Sequence, residues 1–62
     1  MHTIRVQFDG ELLSEDSGDF PMPELEFSET LKFVANHYPV VSGITVDMFD
    51  SSGAVYASHT FN

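Results

Sequence analysis

Between Arg5 and Lys32 stand eight carboxylates: Asp9, Glu11, Glu15, Asp16, Asp19, Glu24, Glu26 and Glu29. They are eight of the ten in the chain, and no Lys or Arg interrupts them. Such a run suits three chemistries: acid–base catalysis by a carboxylate pair, ligation of a hard cation, and imitation of a polyphosphate. The first needs a cleft between its two acids. A chain of 62 residues has little room for a substrate cleft of ~300 Å3. The second needs the D-x-D-x-D-G spacing of a calcium loop, which "EDSGD" lacks because Gly18 comes too early. The third asks only that folding spread the carboxylates over a surface.

The histidines add no catalytic set. His2, His37 and His59 fall on different elements, and no two have a metal-ligand spacing such as i, i+4. Ser58 and His59 alternate to opposite faces of a strand, so they form no nucleophile–base pair. With no base and orienter in sight, the expected protein is not an enzyme, and no cofactor or metal is expected.

The net charge of −8 disfavours direct contact with nucleic acid or an anionic membrane, since both are bound through Lys and Arg. The attractive partner is a basic surface. Ordinary solvated surfaces mix both signs; this segment does not. No cysteine is present, so neither a disulfide nor a thiolate metal site is available. "MHTIRVQF" lacks the apolar core of a signal peptide, and no apolar stretch approaches the ~20 residues of a membrane span. A cytoplasmic location is expected. Hydrophobic residues at 42% suffice for one small folded domain spanning residues 1–62.

The elements that must position these residues follow from periodicity. In "HTIRVQF", Ile4, Val6 and Phe8 alternate with Thr3, Arg5 and Gln7, the mark of a strand with one buried face. Asp9-Gly10 is a hairpin turn signal, because both positions tolerate positive φ. A two-residue loop sets Leu13 opposite Val6 and Leu12 opposite Gln7 on a short return strand, "ELLS". "SEDSGDFPMP" reads as an irregular loop, with Pro21 and Pro23 excluding regular structure and Phe20 and Met22 anchoring it.

Ser28 is the expected N-cap of a helix, with Glu29 in its first turn. Phe27, Leu31, Val34, Ala35 and Tyr38 form its apolar stripe, and Phe33 lies opposite. Pro39 ends it. "GITVDMF" and "AVYASHTF" make a second hairpin around residues 50–53. With Phe49 facing Ala54, its inner face is Ile44, Val46, Met48, Val55, Ala57 and His59. Its outer face carries Thr45, Asp47, Phe49, Tyr56, Ser58 and Thr60. The expected architecture is α+β: a small, mainly antiparallel sheet with one helix packed on one face, ββαββ, or βαββ if "ELLS" does not pair. Phe49 and Tyr56, as neighbours on the back of the sheet, are candidate interface anchors.

The order of a short first strand, a capped helix after a Pro-containing segment and a final hairpin "GITVDMFDSSGAVYASHTF" resembles the small phage-encoded anti-CRISPR proteins of the type I class. The resemblance covers most of the chain as architecture. It implies binding to a CRISPR effector complex and blockage of target-DNA engagement. One lineage of similar outline is basic, whereas this chain is acidic, which points to mimicry of DNA. The expected protein is a monomeric inhibitor that meets a basic nucleic-acid-binding protein through the eight carboxylates, Phe49 and Tyr56. The rival readings are a module that self-associates through Phe49 and Tyr56, and a regulator of another DNA-binding protein.

Overall fold

The computed structural model describes all 62 residues. Five elements follow one another: β1 (His2–Phe8), β2 (Glu11–Gly18), α1 (Pro23–His37), β3 (Ile44–Phe49) and β4 (Val55–Thr60). The four strands form one antiparallel sheet in the order β2-β1-β3-β4, so β2 and β4 are its edges. The ββαββ form of the expected α+β architecture is the one observed.

The first hairpin turns at Asp9 and Gly10, with φ of 51° and 79°. Positive φ at both positions matches the right-handed twist of the flanking strands. Leu12 faces Gln7 as expected, but Val6 faces Ser14 rather than Leu13, because β2 carries a bulge there. The extra residue, Leu13, is half-buried and packs against the core. Beyond it β2 continues to Gly18, well past the expected "ELLS", since "SEDSG" pairs with His2 to Val6. As an edge strand with largely exposed side chains it shows no apolar alternation.

The helix also starts earlier than expected. Met22 is its N-cap and Pro23 its first residue, five before Ser28, and no side chain caps it. A proline at this position is pre-organised for a helix and lacks an N–H that would go unbonded there. Glu24 and Glu26 occupy the first turn, where the dipole favours them. Val34 is fully buried; Phe27, Leu31 and Tyr38 are half-buried beside it. Ala35 is exposed and leaves the expected stripe, as does Met22 the expected loop anchor. Phe20 does pack on the core.

That core is thin. It comprises Ile4 and Val6 of β1, Ile44, Val46 and Met48 of β3, and Val34 of the helix. The two central strands supply five of the six. Phe8 points the same way as Ile4 and Val6, but at the end of its strand it stays 45% exposed. No helix is long and apolar enough to cross a membrane.

Candidate functional site

The carboxylates follow the β2 edge and continue onto the start of the helix. Asp9 is in the turn and Glu11 opens the strand opposite Phe8. Glu15 pairs with Arg5 and Asp16 with Ile4. Paired residues share a face and neighbours alternate. Asp16, like Ile4, is therefore on the helix side, and Glu15, like Arg5, is on the back. The edge thus carries carboxylate on both faces. Asp19 follows the strand, while Glu24, Glu26 and Glu29 belong to α1. Strand rise places the Asp9 end and the Asp19 end ~20 Å apart.

Folding supplies bases that the local sequence lacks. Arg5 donates through Nε to Glu15. Lys32 Nζ lies 3.6 Å from Glu29 Oε1, one helical turn away. The Met1 amine lies 3.3 Å from Asp19 Oδ1. Every Lys and Arg in the chain is therefore committed to the run. Asp9, Glu11, Asp16, Glu24 and Glu26 have no ion pair and remain exposed. These five make the uncompensated part of the surface, Glu24 accepting only from the neutral Tyr56 hydroxyl.

Phe49 and Tyr56 are not the neighbours that the sequence suggests. The β3–β4 loop is one residue shorter than expected: Asp50 N–H donates to Ala54 O at 2.9 Å, leaving residues 51–53 as the loop. A bulge in β4 then shifts the register, so that Phe49 faces Val55 and Met48 faces Ala57. Tyr56 is the residue left between. Val55, expected inside, is 61% exposed on the back with Phe49. Tyr56 turns to the helix side. Its hydroxyl donates to Glu24 Oε1 at 2.7 Å, and its ring meets His2 edge-on at 5.2 Å. The hydrogen bond to Glu24, which needs the neutral phenol, pushes the Tyr56 pKa above its ordinary value of 10.0. Tyr56 thus belongs with the acidic helix start. Phe49 instead lies under Arg5, whose Cζ is 5.1 Å from the ring centre.

Three hydrogen-bonded polar pairs also stand on the back face, Thr3–Ser17, Thr45–Thr60 and Ser58–Asp47. Contrary to the expectation that a chain this short has little room for a cleft of that order, a depression of about 380 Å3 there touches Arg5, Phe49 and Asp50. Its charged groups are already engaged. Arg5 holds Glu15, and Asp50 Oδ1 accepts from Ser52 N–H, Ser52 Oγ and Ala54 N–H. The Ser52 hydroxyl is the main cause holding the Asp50 carboxyl below its usual 3.8.

A second concavity, about 320 Å3, opens on the helix side at the Asp9 end. Phe8, Leu13, Tyr38, Val40 and Ile44 line it, all apolar. Sequence reasoning missed it because its walls come from β1, the β2 bulge, the end of the helix and the segment before β3. The one hint was the cluster "YPVV", apolar residues beyond a helix-stopping proline.

Fold and surface together define a small acidic α+β domain with an open sheet. Compared with protein-family models, curated proteins and solved structures, the chain matches none.

Proposed function

We propose that this protein is a non-enzymatic inhibitor that occupies a basic nucleic-acid-binding surface on another protein. The observation that carries the reading is the carboxylate-lined β2 edge continuing onto the helix start, with Asp9, Glu11, Asp16, Glu24 and Glu26 free of any ion pair. A basic groove built for DNA holds counterions that a phosphate chain releases on binding. A projecting edge with carboxylate on both faces enters such a groove and releases them in the same way. Glu24 and Tyr56 extend that surface at the helix start. The partner we propose is a subunit of a CRISPR effector complex, and the step blocked is binding of target DNA; this narrower choice rests on the architectural resemblance.

The test replaces Glu11, Asp16 and Glu26 together by lysine. None of the three is buried or ion-paired, and circular dichroism checks that the variant is folded, since Glu26 is in the first helical turn. Target-DNA binding by a purified type I effector complex is followed by gel shift at two salt concentrations. The wild-type chain should inhibit, less strongly at high salt, and the triple variant should not. Full inhibition by the folded variant refutes the acidic-surface reading; no inhibition by the wild type refutes the partner.

A further inference from the structure

The apolar groove at the Asp9 end is the feature that the acidic edge leaves unexplained. Charged rims set the rate and specificity of association, whereas holding a complex needs a desolvated anchor. Phe49 and Tyr56 do not supply one, since they lie on opposite sides of the sheet and each is already engaged. The groove can. Its mouth is open, with Val40 72% exposed.

One of its walls is braced by the backbone behind it. The Phe8 ring lies against Gly43, where a Cβ would come within 3.2 Å of Phe8 Cε1. Gly43 has φ of 92°, a conformation that side chains disfavour. Gly43 N–H donates to Phe61 O at 2.8 Å, and Ile44 N–H donates to Val41 O at 2.9 Å. A pre-formed wall lowers the ordering cost of binding.

The rim has one sign. Glu11 pairs with Phe8, and Phe8 with Ile44, so the three form one row across the sheet on the groove's own face. Asp9 adjoins Phe8. Neither Arg5 nor Lys32 lines the groove, and each is ion-paired elsewhere. An apolar socket edged by carboxylate complements an apolar side chain set among basic residues. A second copy of this chain would bring its own Asp9 and Glu11 against these.

We infer that the groove receives one large apolar side chain, aromatic or aliphatic, from a Lys- or Arg-rich segment of the protein partner. The inference rests on the proposed binding to a basic surface and names the contact that holds it.

The experiment is an NMR titration of the isotope-labelled full chain with two blocked pentapeptides, Lys-Lys-Phe-Lys-Lys and Lys-Lys-Ala-Lys-Lys. Burying the Phe ring should make the first bind about tenfold tighter or more. It should move the amide signals of Leu13 and Val40. Val40→Gln, an exposed substitution that keeps the charge, should bring its Kd to that of the Ala peptide. Equal Kd for the two peptides overturns the inference, as does failure of both to bind. Groove signals that move with the concentration of the chain alone identify a second copy as the occupant and also overturn it. Equal peptide binding together with loss of inhibition in the triple lysine variant removes the groove and leaves the acidic surface standing.

Discussion

Replacing Val34 by alanine measures what holds the helix to the sheet. Val34 is the one helical residue in the core, with no exposed surface. The change deletes two methyl-sized groups, each worth ~0.8 kcal/mol of transfer. The cavity left behind adds to this, for a total of ~2–3 kcal/mol. A domain this small holds a net ~3–5 kcal/mol, so about half or more of the stability should go. At a urea dependence of ~1 kcal/mol per molar, the midpoint should fall by ~2–3 M. Leu25 is the control: it is on the same helix but 49% exposed, and Leu25→Ala should cost under ~1 kcal/mol. Urea melts followed by circular dichroism compare the two. If Leu25→Ala matches Val34→Ala, the helix packs through a different face and the core described above is wrong.

Tyr56 should keep its proton above pH 10.0, because Glu24 accepts from the neutral phenol. Its contribution to stability is complete below the unfolded value and lost as pH rises through the folded one; Glu24→Ala should lower the midpoint of its ring-carbon titration by NMR. Asp50 has the opposite sign. Its carboxylate stabilises the β3–β4 turn above its unfolded value, and that contribution is lost as pH falls through a folded value under 3.8. A carboxyl-carbon midpoint at or above 3.8 contradicts the turn geometry, and Ser52→Ala should raise it. Gly43→Ala should cost ~1–3 kcal/mol through its positive φ and shift the Phe8 ring signals in NMR, whereas Gly53→Ala, with open space around it, should leave distant rings unmoved.

The strands were legible where burial alternates. β1 and β3 carry one buried side and read correctly, as did the Asp9-Gly10 turn. β2 was read short because its side chains are mostly in water on both faces, so hydropathy leaves no period to see. The helix start was misplaced through Pro23, read as an interruption when it is the first helical residue. The aromatic pair failed for a different reason. Strand parity carries across a hairpin only while the register is unbroken. One bulged residue in β4 reverses the face of everything toward the turn, and no residue type in "AVYAS" announces it. The carboxylates themselves were all visible in the sequence, but their pairing with Arg5, Lys32 and Met1 is a long-range or helical contact that only the fold brings about.

The two rims of the sheet differ in what they permit. β2 bears Glu11, Glu15 and Asp16, whereas β4 has no Asp, Glu, Lys or Arg. An open β edge is a template for adding another strand. Were two copies to join, β4 against β4 would leave every β2 carboxylate in water, whereas β2 against β4 would cover Glu11, Glu15 and Asp16 with a rim that has no Lys or Arg to pair them. The β4–β4 product would be a single eight-stranded sheet ended by β2 on both sides. Two such pairs could then meet only through β2 against β2, carboxylate beside carboxylate. A β4–β4 pair is closed by two-fold symmetry and has no uncharged rim left to extend.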